Sequence, residues 1–566
     1  MTATLERDYD NTFYVGLCMA GAVSAGAYTA GVMDYLIEAL DGWELKRGEE
    51  GIPAHKVVIP VIGGASAGGM TAIIGASAIS NRINHLARLD ENDLSAPHPE
   101  NKFYHSWVDL TSDNVLHEML ELNDIQKGNI TSLVNSGFIE RIAERAMRIN
   151  SGERYPRPYF EEQLKVFVTL SNLKGFWYDL FFRSSDPRHS SYFIHRHNDF
   201  ARFKLNSTVY ANDGWIPLDF YSGAGVDVAR NAAMATGAFP VGLKARTIVR
   251  DAQHVNDINW LSDTFGKNPI PAGEYESLNV DGGMINNEPF ENVRNVLKEV
   301  TGQDDPHEFN SFNHFRSTIL MVDPFPGVEP DYNPKNNLIE IAGSALAALI
   351  NQARVKPDAI VQALDDDCAG QFLIAPTRTV PQLSGDASVK ETGSRAIACG
   401  AFGGFSGFLN KEFRIHDYFL GRANCEKFLR DHLTVPLSSN NIITRGYMHM
   451  SGSQRERYYA TVDPGEPRLP IIPVLTERSK KYLPVFSSGT DWPVIGRKSI
   501  EQYRAPIKKR VESLMMNLTD YNLFTWIALA AGSRIVLRRK ITGAIMDALK
   551  ESLAEHQLLS FHRRAN

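Results

Sequence analysis

An α/β fold with a mainly parallel central sheet, followed by a largely helical C-terminal region, is what this sequence predicts, and three observations predict it. Short apolar runs alternate with segments of helical periodicity as far as about residue 380. One of those runs, Lys56 to Ile62 (KVVIPVI), is a continuous β-branched stretch of the kind buried on both faces of a parallel sheet. After Gly385 the strand-like runs give way to helical patterning, broken by a Pro-punctuated stretch from Asp463 to Pro493. The expected organisation is an α/β domain over residues 10–384 and a mainly helical extension over 385–566.

Taken in order, Tyr14 to Met19 (YVGLCM) reads as a buried strand, a glycine-rich turn follows, and Thr29 to Leu40 (TAGVMDYLIEAL) is helical. Lys56 to Ile62 is the second strand and Ala67 to Ala78 a helix of small residues. From about 82 to 150 the chain is polar and helical, with Ser136 placed as N-cap of GFIERIAERAMRI, and reads as an insertion or lid. Strands resume at Lys165 to Leu170, Ser277 to Val280, Ser317 to Val322 and Gln371 to Ile374, with a helix at about Leu338 to Arg354.

Composition removes several classes of function. The 22 residues from Thr12 to Met33 carry no charge, yet Ala, Gly, Ser and Thr dominate them, so they are unsuited to spanning a bilayer. The preceding MTATLERDYD sets one Arg against Glu6, Asp8 and Asp10, unlike a secretory n-region. Cys18, Cys368, Cys399 and Cys425 lack CxxC spacing and read as free thiols of a reducing, cytoplasmic compartment. Net charge is -7, which disfavours nucleic acid as a partner. From Glu477 onward 16 Lys+Arg meet 8 Asp+Glu, so a basic tail of net +8 follows a body of net -15. Within that tail FTWIALAA (Phe524 to Ala531), with Arg534, Arg538, Arg539 and Lys540, suits either a core helix or, over residues 523–540, peripheral contact with an anionic membrane face.

Three motifs carry chemistry. Gly64-Ala65-Ser66-Ala67-Gly68 fits GxSxG between a strand and a helix, where a tight turn exposes the serine and the helix N-terminus favours negative charge. The glycine-rich turn at Gly21 to Ser24 can supply backbone N–H donors to an oxyanion, because loops at the carboxyl ends of neighbouring parallel strands converge. It is not a phosphate loop: GxxxxGK[ST] and GxGxxG are both missing, and no lysine lies between Asp10 and Lys46. Asp281, in DGGMINNEP, ends an apolar strand, and Gly282 and Gly283 permit a backbone conformation closed to other residues. An ordinary Asp-Gly turn is the competing reading of that last motif.

In this order the motifs resemble those of the patatin-like phospholipases, lipid acyl hydrolases with a GGGxRG loop, a GxSxG serine and a DGGxxxNxP aspartate. The resemblance extends over about residues 12 to 330, and Phe239-Pro240 in ATGAFPVGL resembles the small-residue stretch ahead of the family's aspartate. It implies a three-layer fold, a Ser66–Asp281 dyad without histidine, an oxyanion hole at Gly21, Ala22 and Val23, a lipid substrate, and neither metal nor organic cofactor. The first motif departs from the pattern: Gly21-Ala22-Val23-Ser24-Ala25-Gly26 lacks the arginine and puts β-branched Val23 where a positive φ is disfavoured. The insertion between Ser66 and Asp281 is long, and is expected to cover the site or shape an acyl pocket.

Two alternatives stay open at this level. A Ser-His-Asp hydrolase would draw on His307, His314 or His416; a non-catalytic membrane-binding protein would explain the altered first loop. Other polar clusters read as structural: His195-Arg196-His197 and Asp365-Asp366-Asp367 lack metal-site spacing, and Asp417 with Arg422 is expected to form an ion pair.

Overall fold

The structure is a computed structural model that describes residues 11–90, 93–149, 154–183, 186, 191–262, 269–326, 341, 344, 348, 352, 369–381, 388–461, 465–476, 492–517 and 533–560. The expected helix at 338–354, the acidic run Asp365 to Asp367, Cys368 and the FTWIALAA segment lie outside these residues, apart from isolated positions of the helix.

Strand β1 (Thr12–Met19) sits at the centre of the main sheet, hydrogen-bonded in parallel to β2 (Lys56–Gly64) on one side and β8 (Ser317–Val322) on the other. Next to β8 comes β9 (Gln371–Ile374), and beyond β2 come β3 (Phe160–Phe181), β4 (Ser191–Leu205) and β5 (Ile216–Leu218). Two further strands, β6 (Arg246–Asp251) and β7 (Glu274–Asp281), join through β3, and β7 runs antiparallel to both β3 and β6.

Alternation along β1 makes the three layers. Phe13, Val15, Leu17 and Met19 face a core shared with helices α1 (Gly26–Lys46) and α2 (Ser66–Ala78), while Tyr14 and Cys18 face a second core with α5 (Phe290–Thr301). Helix α1 is buried nearly all round because α6 (Lys411–Asp431) covers the side turned from the sheet. The two backbones nearly touch: a Cβ at Gly31 would lie 1.9 Å from the Tyr418 carbonyl oxygen, and one at Gly421 2.2 Å from that of Tyr28. Residues from Phe13 through Leu559 thus share one continuous core. Among the described residues no helix is long and apolar enough to cross a membrane.

Several expectations need correction. Asp417 and Arg422 do not pair. Asp417 accepts the N–H groups of Ala398 and Cys399 and bonds His416, whereas Arg422 reaches across to Asp34 and Glu38 on α1. Ser136 occupies the N-cap position of α3 (Gly137–Met147) but does not cap it; its hydroxyl accepts from the Lys244 N–H, and Asn135 takes the Gly137 N–H. The insertion holds only short helices besides α3 among its described residues, and its inner side is apolar. Cys18, Cys399 and Cys425 are buried thiols.

Candidate active site

The chain turns sharply from β2 into α2 at Gly64 to Gly68. Ala65 is extended and Ser66 follows at φ +50°, a left-handed conformation that costs a residue other than glycine about 1–3 kcal/mol. A hydrogen bond from the Ser66 N–H to Thr236 Oγ1 (2.9 Å), at the end of α4 (Val226–Thr236), holds that conformation. The glycines of the turn serve close approach: a Cβ at Gly64 would meet the Gly68 carbonyl carbon at 2.6 Å, and one at Gly68 would meet the Met19 carbonyl oxygen at 2.2 Å. The first turn of α2 is therefore pressed onto the end of β1, its positive dipole end beside Ser66.

Asp281 arrives by a route that the sequence does not reveal. Being antiparallel to β3, β7 does not end at the carboxyl edge in the manner of β1 and β2. Strand β3 instead overshoots that edge: its Val168 pairs with Gly64, the last residue of β2, and its Leu170 pairs with Asp281. Strand β7 descends along the overhang and delivers its final residue beside the nucleophile turn. Ser66 Oγ donates to Asp281 Oδ2 at 2.7 Å. The other carboxylate oxygen accepts the Gly283 N–H at 2.7 Å, the Asp281 carbonyl accepts from Ser171 Oγ at 2.8 Å, and its N–H donates to the Ala238 carbonyl at 3.0 Å. Every polar arm of Asp281 is thereby anchored, and both Ser66 and Asp281 are only 7% exposed. Neither Gly282 nor Gly283 has a positive φ, contrary to expectation; each is required for space, a Cβ at Gly282 lying 2.1 Å from the Thr169 carbonyl oxygen and one at Gly283 2.5 Å from Asn287 Oδ1.

The first loop closes on this pair. A Cβ at Gly21 would lie 2.8 Å from the Ser66 Cβ and 2.4 Å from Asn287 Oδ1, so only glycine fits. Val23 adopts φ +49° despite its branched side chain. Among the described residues, no acceptor takes the N–H groups of Gly21, Ala22 or Val23. The loop is held from far along the chain: Ser24 Oγ donates to the Gly404 carbonyl and accepts the Gly407 N–H at 3.1 Å. Buried Arg414 in turn binds the carbonyls of Gly407 (2.6 Å) and Val108 (2.8 Å), tying the C-terminal segment to both the loop and the insertion. Burial holds the Arg414 guanidinium down to about 10.

Over Ser66 and Asp281 opens a cleft with a largely apolar wall, its depth made by Met70, Trp107, Leu110, Phe138, Ile142 and Phe408. Among the described residues no histidine lines it. His307 and His314 are exposed elsewhere, and His416 is buried against Trp492 with its Nδ1 bonded to Asp417 at 2.7 Å. Sequence reasoning missed Thr236, Asn287 and Ser24 as supports. Each had a signal in the sequence: Thr236 lies within the ATGAFPVGL stretch, Asn287 is the asparagine of DGGxxxNxP, and Ser24 ends the glycine-rich turn.

Comparison with known proteins agrees with these motifs. The family model described as patatin-like phospholipase matches residues 17–294. An uncharacterized protein of Sinorhizobium fredii, y4iI, is 32% identical over 480 residues, covering 75% of this chain, and this chain spans 65% of that relative's length. The match begins inside β1 and ends inside α5, taking in the first loop, the GASAG turn and the DGG strand end, and through it residues 17–294 belong to the patatin-like phospholipase family.

Proposed function

We propose that the protein hydrolyses carboxylic esters of phospholipids or related lipids through an acyl-enzyme. Ser66 Oγ attacks the ester carbonyl carbon while its proton passes to Asp281 Oδ2. The carbonyl oxygen, now an oxyanion, takes hydrogen bonds from the backbone N–H groups at Gly21, Ala22 and Val23. The alcohol leaves with the proton from Asp281. Water then repeats the sequence on the acyl-serine, its proton going to Asp281 and its oxygen to the released fatty acid.

One observation carries this reading: a serine and a carboxylate share a 2.7 Å hydrogen bond at the floor of an apolar cleft, with no intervening imidazole. A carboxylate is a weak base in water, and the direct hydrogen bond from Ser66 Oγ gives the serine proton a path to Asp281. Trp107, Phe138 and Ile142 make a wall that fits an acyl chain better than a polar substrate. The family's lipid substrates agree with that lining.

The test is labelling with a serine-reactive fluorophosphonate beside turnover of a short-chain ester. Wild type should be labelled at Ser66 and active. Ser66→Ala should lose both properties, and Asp281→Asn most of its turnover, by about 10³-fold or more, with folding intact. Full turnover in Ser66→Ala would refute the mechanism. An essential histidine among His307, His314 and His416 would replace it with a triad.

A further inference from the structure

Past Asn172 strand β3 leaves the sheet, paired among the described residues with β4 alone. Strand β7 pairs with β3 no further than Asn172, and β5 meets β4 only at Phe203 to Leu205. After an irregularity between Ser171 and Phe176 the two strands pair from Phe176–Arg196 to Phe181–Ser191, a two-stranded ribbon about 20 Å long. Such a ribbon alone in water is marginally stable. This one is also aromatic on the outside: Trp177, Phe182, Tyr192 and Phe193 are each more than half exposed. They occupy both faces, Trp177 packing on Phe193 and His195 on one, and Phe182 meeting Tyr192 on the other.

A protein partner covers one face of a ribbon; aromatic side chains on both faces suit a medium that surrounds it. Tyr and Trp prefer the water–lipid boundary, where ring and polar handle are both satisfied. Charge points the same way, for Leu173 to His197 holds four Lys or Arg against two Asp in a chain of net -7, with Lys174 and Arg183 exposed. The ribbon also rises from the sheet edge at which Leu170 pairs with Asp281, so it projects from the edge that carries the cleft.

We propose that the β3–β4 ribbon docks the protein on a lipid surface bearing anionic head groups and presents the Ser66 cleft to it; this rests on the lipid-hydrolase reading above. Hydrocarbon offers no partners to the edge N–H and C=O groups of a two-stranded ribbon, which confines it to the head-group layer. Docking is therefore shallow, reversible and weakened by salt.

The experiment uses the full chain and vesicles of phosphatidylcholine with and without phosphatidylglycerol, measuring co-sedimentation, hydrolysis of vesicle lipid, and hydrolysis of a soluble short-chain ester. Wild type should bind the anionic vesicles more tightly than the neutral ones. The double variant Trp177→Ser, Phe193→Ser should bind them about tenfold or more weakly and lose vesicle hydrolysis in proportion. It should keep soluble-ester turnover, which also reports that it is folded. Ser66→Ala should bind as wild type does and hydrolyse neither substrate. Wild type that ignores anionic vesicles, or a double variant that binds them equally well, overturns the proposal. So does a dimer in wild type that the double variant abolishes, because the ribbon would then be a surface for a second copy. Soluble-ester turnover that survives in Ser66→Ala would sink the catalytic reading and leave the docking result standing.

Discussion

Two loops meet at the cleft, and each contains one residue other than glycine in the left-handed region, Ser66 at φ +50° and Val23 at φ +49°. Their supports differ. The Ser66 turn is pinned from within the α/β body, by Thr236 and by the close packing of Gly64 and Gly68. The Val23 loop is pinned from outside it, through Ser24 to Gly404 and Gly407, some 380 residues later in the chain. Equal strain is thus restrained by near structure in one loop and by distant structure in the other. The comparison teaches that the C-terminal region is part of the site's scaffold, even though its residues do no chemistry in the proposed mechanism.

The largest expected effect breaks the contact between the loops. Gly21→Val puts a side chain where Ser66 Cβ and Asn287 Oδ1 already stand, and should lower kcat/KM by about 10²–10³-fold, the cost of losing an oxyanion donor. An ester-turnover assay with a melting curve separates this from unfolding. Thr236→Val keeps shape and removes the acceptor for the Ser66 N–H. Leaving that buried group unpaired costs about 1–3 kcal/mol, so turnover should fall by about tenfold or more, with a lower Tm. Ser24→Ala tests the distant support: it removes two hydrogen bonds but leaves the loop backbone in place, so kcat should fall by less than about tenfold. A Ser24→Ala loss as deep as that of Gly21→Val would mean that the remote brace, and not local space, sets the loop.

The smallest effect lies one helix further out. His85 bonds Asp34 at 2.8 Å beside the Arg422 contacts that join α1 to α6. Burial disfavours its charge, but Asp34 and Asp41 outweigh burial and raise its pKa from 6.5 to about 9. A raised folded-state pKa means that the imidazolium contributes stability below 6.5 and loses it as pH climbs through about 9. Denaturant unfolding across that interval should show stability falling with pH, and His85→Gln should flatten the slope.

What could be read from the sequence follows how far each feature depends on neighbours in the chain. Strand β8 appears within the expected limits because a continuous apolar run marks a strand buried in the sheet; β9 does so too, although it is an edge strand of which only Ile374 is buried. Only the start of β3, Lys165 to Leu170, was legible; beyond it polar Ser171 and Asn172 are buried, and past Phe176 the strand leaves the core, so the apolar pattern of buried strands is lost. Strand β4 has the same problem, since its first half faces water. The GASAG turn is legible because strand, turn and helix are consecutive. The direction of β7 is not, because antiparallel pairing with β3 is a tertiary fact that leaves Asp281 at a strand end either way. The glycines mislead in one respect: left-handed freedom is expected of them, yet at this site Ser66 and Val23 carry the positive φ and the glycines supply room.

The bond from Ser24 to Gly404 has a consequence for biosynthesis. A growing chain holds Ser66 and Asp281 well before it holds Gly404, which is 123 residues beyond Asp281 (404 − 281). At about 5–20 residues per second that is a delay on the order of ten seconds. During that delay the nucleophile turn can form while the Val23 loop lacks its brace. Until Gly404 and Gly407 have emerged, the missing brace should slow a nascent chain by no more than the loss expected of Ser24→Ala, less than about tenfold.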